Sequence, residues 1–217
     1  TNYSFDGNVQ QEELEKLLEK LSNDIEKASS YKGTTLKDLQ SHIQSLELNH
    51  KKGSKFLEKS RETFQEIELD NLGSIRDLLD DGSILVDSFE NLHKEAVKNR
   101  KEIKSIIEKS EMIISDIRVN IEACKNNFDE LKLLYSFPLN HSEQQILKCE
   151  TMLGKSKVFL ESKDPYEFRN MINNIQGELK SIRKSFEVIP HLYKQLKESI
   201  PVNVESSINE LLLEVGP

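Results

Sequence analysis

The 217 residues contain no tryptophan, and Phe, Tyr and Trp together make up only 6%. Without large aromatic side chains a thick globular core is hard to fill. Hydrophobic residues at 36% and charged residues at 31% suit thin helical bundles instead, in which each helix shows about half its surface to water. Cysteine is also scarce: Cys124 and Cys149 are too few and too widely spaced for a disulfide framework. They read as reduced core residues, which points to the cytoplasm. No run approaches the 18 apolar residues of a membrane-spanning helix. Five prolines and eight glycines mostly stand where helices should end. No secretory leader pattern opens the chain at Thr1, and the sequence reads as a fragment of a longer protein.

Chemistry-bearing motifs are equally sparse. Gly154-Lys155-Ser156 has the ending of a phosphate-binding loop, but Cys149 stands where that loop needs its first glycine, and the surrounding pattern is helical. The stretch from Asp77 to Gly82 opens like a calcium loop, yet Ser88 occupies the place of the closing glutamate. His42, His50, His93, His141 and His191 never reach the His-x-x-x-His spacing that puts two ligands on one helical face. There is no nucleophile elbow and no Cys/His pair in local context. The sequence therefore predicts no enzyme: no catalytic residues, no cofactor and no metal site.

The net charge of −8, from 30 basic and 38 acidic residues, argues against a nucleic-acid ligand and against an anionic membrane acting on the average surface. Two basic clusters stand out, Lys51-Lys52-Gly53-Ser54-Lys55 and Lys98-Asn99-Arg100-Lys101. The simplest reading of both is a solvated helix face. The sharper one is an interaction patch of Lys51, Lys52, Lys55, Lys98, Arg100 and Lys101 for an acidic partner or a lipid headgroup.

What the chain does have is heptad periodicity. In the stretch Phe168 to Ile200, apolar residues fall at Phe168, Ile172, Ile175, Leu179, Ile182, Phe186, Ile189, Tyr193, Leu196 and Ile200. After the first step the spacing alternates three and four, which is a stripe along one side of a long helix. Such a helix needs partners. Residues 1–9 read as a flexible lead. Leu14, Leu17, Leu18, Leu21, Ile25 and Ala28 mark a first helix, with Gly33 as its stop and Thr34 or Thr35 as the next N-cap. A second seam starts at Leu36 and passes through His50, Gly53 and Ser60, polar positions that weaken it locally; they pin register or mark a thin place in the bundle, and the simpler reading is a solvated stretch of an imperfect stripe. It slips phase near Gly73 and resumes from Ile75 to Leu134. Unbroken, Leu36 to Leu134 would be one helix of about 150 Å. A break near Gly73 or Gly82 is expected, because each interior glycine costs about 1 kcal/mol. Ser136 to Asn140 forms a turn, and Ser142 with Gln145 opens the next helix as a capping box. Asp164 caps the last long helix, with Pro165 in its first turn, and Pro190 is expected to kink it. Pro201 ends that helix or starts a short final one.

These elements predict an all-α fold, an elongated antiparallel bundle with long heptad-patterned helices. Residues 10–80 form a first helical segment and 81–217 a bundle, with the boundary near 73–83. The runs Glu95 to Ile103, Leu160 to Tyr166, and Glu187 to Leu192 followed by Ile200-Pro201 resemble the spectrin-like cytoplasmic repeats of the bacterial septation-ring regulator EzrA. The family's Gly-Tyr pair after the second proline is replaced here by Ser206-Ser207-Ile208. The resemblance implies a rigid cytoskeletal interaction module with no catalytic residues. The expected function is a structural or adaptor rod that binds proteins, in the cytoplasm or at the inner face of a membrane. A homodimer is admitted. The alternative from a different class is a peripheral membrane-binding helical dimer that uses the two basic clusters.

Overall fold

A computed structural model describes residues 2–65, 72–135 and 139–215, and every element in it is helical. The elements are α1 (Asn2–Ser29), α2 (Gly33–Gln65), α3 (Leu72–Leu134), α4 (Asn140–Glu161), α5 (Pro165–Lys194), a π turn (Gln195–Ser199) and α6 (Ile200–Val215). The all-α expectation holds. The chain divides into two compact units, Thr1–Glu108 with Phe159–Glu167, and Lys109–Val158 with Phe168–Pro217. This differs from a division near residue 80, because α3 contributes its first half to one unit and its second half to the other.

In the first unit α1, α2 and the start of α3 run up, down and up. Gln11 donates to Ser60 near one end of the pair, and Ile25 and Ala28 pack with Leu39 and Ile43 at the other, which sets α1 antiparallel to α2. His42 faces Glu95 and Ser88 reaches Asn49, so α2 and α3 are antiparallel as well. Leu14, Leu17, Leu18 and Leu21 of α1 pack with Leu46, Leu57 and Phe89 in one apolar cluster. In the second unit the later part of α3 packs with α4 and α5. Lys125 pairs with Glu150 at 2.5 Å and Lys148 with Glu178 at 2.5 Å. Arg183 donates to Asn120, and the Phe128 and Phe186 rings lie 6.5 Å apart.

Several local expectations change. α1 starts at Asn2, so the stretch up to Val9 is helical rather than a loose lead. Of the two expected places for a break, the seam does divide near Gly73: α2 ends at Gln65 and α3 begins at Leu72, with the join on 66–71 outside the described residues. Gly82, by contrast, lies inside α3 and does not interrupt it. The reason is one of magnitude. A helical glycine costs about 1 kcal/mol, whereas burying Leu78 and Phe89 on either side of Gly82 contributes about 1.5–3 kcal/mol each. α5 runs through Pro190 to Lys194, and a π turn follows before Pro201. Its wider winding leaves room for the ring of a proline that an α-turn would crowd. The α5 stripe is buried from Phe168 to Ile189, but Leu196 and Ile200 are exposed. The ring of Tyr135, the residue after α3 ends, meets Tyr193 at 5.0 Å.

The polar gaps in the α2 seam are not solvated: Gly53 and Ser60 are both buried. A Cβ added at Gly53 would come within 2.6 Å of Phe89 Cζ and 2.8 Å of Leu18 Cδ2. The glycine is therefore the hollow into which the fully buried Phe89 ring fits.

The caps of α2 and α5 are joined by one side chain of the first unit. Asp164 Oδ2 accepts the Thr34 N–H at 2.8 Å, and Oδ1 accepts the Thr35 N–H and hydroxyl, each at 2.8 Å. Oδ1 also accepts the Glu167 N–H at 3.4 Å in its own helix. Thr35 Oγ1 in turn accepts the Tyr166 N–H at 2.9 Å, and the Thr34 hydroxyl donates to Glu167 at 2.7 Å. The expected cap at Asp164 is present, but it also caps α2 from about 130 residues away, where Thr34 or Thr35 was expected to act. Gly33 (φ +54°) stands so close to Asp164 Oδ2 that a Cβ there would overlap the carboxylate. Burial alone pushes the Asp164 pKa up, but the hydrogen bonds from Thr35, Thr34 and Glu167 outweigh it and hold the carboxyl below its ordinary value.

Two outcomes follow. Gly53→Ala gains helix propensity of about 1 kcal/mol but loses about 1–3 kcal/mol to overpacking, so urea unfolding should show net destabilisation. Asp164→Ala should cost about 2 kcal/mol, the upper end of a single N-cap, because two helix starts lose their acceptor. A carboxyl with a lowered folded pKa stabilises above its unfolded pKa of about 3.9 and stops doing so as pH falls through the folded value. The stability gap between wild type and Asp164→Ala should therefore narrow below about pH 4, measured by urea titrations from neutral to acid pH.

Candidate functional site

A buried polar cluster lies inside the first unit, on seam positions. In α1 the steps Leu14, Leu17, Leu21 lead next to Asp24, and Asp24 is buried. In α3 the steps from Phe89 pass through His93, Ala96 and Arg100 to Ile103. Asp24 Oδ2 meets His93 Nδ1 at 2.6 Å, and Asp24 Oδ1 accepts from Arg100 Nη1. Both carboxylate oxygens are therefore used, which is what makes an ionised group tolerable at that depth. Burial pushes the neighbouring Tyr31 hydroxyl pKa up, and the Arg100 charge pulls it partly back. His42 of α2 completes the surroundings: its Nδ1 lies 3.4 Å from Glu95, while its buried Nε2 has no hydrogen-bond partner.

A cavity of about 10 Å³ is lined by Asp24, Tyr31, His42, Asn99 and Arg100 together with Ala28, Leu39, Ala96 and Ile103. That is room for about one water molecule and no larger ligand. The cluster has acid, base and cation, but no space for a substrate. What this arrangement does is fix register: a buried carboxylate with two partners on one facing helix penalises any slip of α1 along α3.

The structure separates the residues of the expected patch. Lys51, Lys52 and Lys55 are exposed on α2, and Lys98 and Lys101 are exposed on α3. Arg100 turns inward to Asp24 and leaves the patch. Gly53, in the first cluster, packs on Phe89 of α3. Residues 98–101 lie 9–12 positions further along that helix, about 14–18 Å at 1.5 Å per residue. The two clusters thus do not form one contiguous surface. Asp24 and His93 are functional-looking residues that the motif search passed over. The signal that would have found them is a charged or imidazole side chain on a seam position.

In the second unit Cys124 and Cys149 are both buried and unpaired. Burial pushes the Cys149 thiol up to about 11, with the nearby Glu178 and Cys124 adding to it and Lys148 opposing. A thiol in that state is a poor nucleophile. Shallow grooves of about 490 Å³ between α3 and α4 (Phe128, Ile146, Leu147) and about 450 Å³ between α3 and α5 (Asn120, Leu179, Arg183) run along the same unit. Among the described residues no group of three His, Cys, Asp or Glu side chains is placed to hold a metal ion, and no helix is long and apolar enough to cross a membrane. The chain matches no family model, no curated protein and no solved structure.

Asp24→Ala should cost about 3–5 kcal/mol, since it leaves Arg100 part-buried without its partner. Exchanging Asp24, His93 and Arg100 together for Leu, Leu and Met should restore most of that loss in guanidinium unfolding, because apolar isosteres remove the desolvation cost altogether. The thiol reagent DTNB should react with neither cysteine until the chain is unfolded.

Proposed function

We propose that this chain is a non-enzymatic interaction module, an elongated spectrin-like rod of two helical units serving as a structural or adaptor element. The observation that carries the reading is α3, whose 63 residues supply a helix first to one three-helix unit and then to another. Repeat proteins chain their units through neighbouring elements in this way and present long surfaces rather than one pocket. The EzrA-like residue runs in the sequence support the same class of assembly, cytoskeletal or cell-division, with the cytoplasm as its compartment. The acidic surface and the separated cations Lys51, Lys52, Lys55, Lys98 and Lys101 suit partners that are proteins. The membrane reading needs both basic clusters to act together, and Arg100 is already engaged by Asp24.

Small-angle scattering tests the rod. A compact chain of this length has a radius of gyration of about 17 Å; the expected value lies well above it, and a value that low overturns the rod. Sedimentation with anionic liposomes at about 0.1 M salt, where the screening length is about 10 Å, should leave the chain in the supernatant. Strong binding that disappears when Lys51, Lys52 and Lys55 become Glu would favour the membrane reading instead.

A further inference from the structure

We infer that the C-terminal helix is a self-association surface, through which two copies of this chain pair antiparallel. The inference deepens the scaffold reading by naming a second copy as partner. From Leu192 onward the helical chain continues through the π turn into α6 and carries Leu192, Leu196, Ile200, Val204 and Ile208 at exposures of 45, 49, 48, 51 and 50%. A stripe repeating every four residues drifts by about 40° per step on an α-helix. The π turn at Gln195–Ser199 is wider by most of a residue and offsets that drift. Leu192, Leu196 and Ile200 therefore stay in line, and Val204 and Ile208 turn about 40° and 80° from Ile200 and broaden the same face. Leu196 and Ile200 are the last two positions of the α5 seam, and Leu192 lies beside its Tyr193.

Charge selects the occupant. From residue 191 to 197 the sequence carries Lys194 and Lys197 and no acid. From 198 to the C terminus it carries Glu198, Glu205, Glu210 and Glu214 and no Lys or Arg. A parallel pair would set acid on acid. An antiparallel pair sets the basic half of one copy on the acidic half of the other, and closes by two-fold symmetry so that no surface is left for further growth. Centred on position 202, that register places Ile200 against Val204 and Leu196 against Ile208. It also brings Lys194 opposite Glu210. An anionic bilayer would repel the acidic half.

Sedimentation equilibrium of the full chain tests this. The mass should rise from 25.1 kDa towards twice that value as the concentration passes through about 10 µM, the range expected for one short helix pair. Leu196→Glu with Ile208→Glu should hold the chain at the monomer mass with an unchanged circular dichroism spectrum. Lys194→Glu should weaken pairing at least about tenfold, through repulsion repeated at both symmetric sites. Adding Glu210→Lys should restore it, which only the antiparallel register allows. A wild-type chain that stays at 25.1 kDa, a double-glutamate variant that still dimerises, or a charge swap without recovery overturns the inference. So does a monomer that sediments with neutral phosphatidylcholine vesicles, which would put lipid on the stripe. A monomer whose scattering is still extended overturns this inference alone and leaves the scaffold reading standing.

Discussion

The first unit depends on one carboxylate. Asp164 accepts from the opening of α2 and from the opening of α5, and each helix start presents N–H groups that have no partner within the helix itself. Two such ends facing each other would be costly to bury, and one acidic side chain satisfies both. The left-handed Gly33 and Lys163 flank it and bring the two chain segments close enough, with the Lys32 N–H bonded to the Lys163 carbonyl at 3.0 Å. A helical bundle usually leaves its turns in solvent. Here one turn is buried, with Thr35 and Pro165 both fully enclosed.

Specificity along the helices comes from a few unlike seam positions. A uniform stripe of Leu and Ile can slip by a heptad at small cost, because one apolar layer resembles the next. Asp24 with His93 and Arg100 forbids that slip between α1 and α3. Gly53 with Phe89 opposes it between α2 and α3 by shape, since the ring fills the hollow at that glycine. Polar and steric devices therefore do the same work on two faces of one bundle, while the apolar layers supply most of the burial.

These devices also bear on function. The polar groups that could do chemistry are spent on folding: Asp24, Arg100 and Asp164 on ion pairs and caps, and Cys149 on a packed interior where its thiol stays protonated. These engagements support the proposed interaction module, whose partners would meet the helix faces its own chain leaves uncovered.

The sequence by itself determined the helices. Heptad spacing located the buried faces of α1, α2, α3 and most of α5, and the Asp164-Pro165 pair marked the start of α5, because periodicity and capping are local properties of the chain. It could not determine what each polar seam residue meets. Asp24 was invisible to a search for apolar positions, Arg100 read as a surface cation, and Gly53 read as a weak point, because each acquires its role only from a partner on another helix. The continuity of α3 through Gly82 and the end of the buried α5 stripe at Tyr193 were also tertiary decisions. In both cases neighbouring helices decide, by burying Leu78 and Phe89 in one place and by ending at Leu134 in the other.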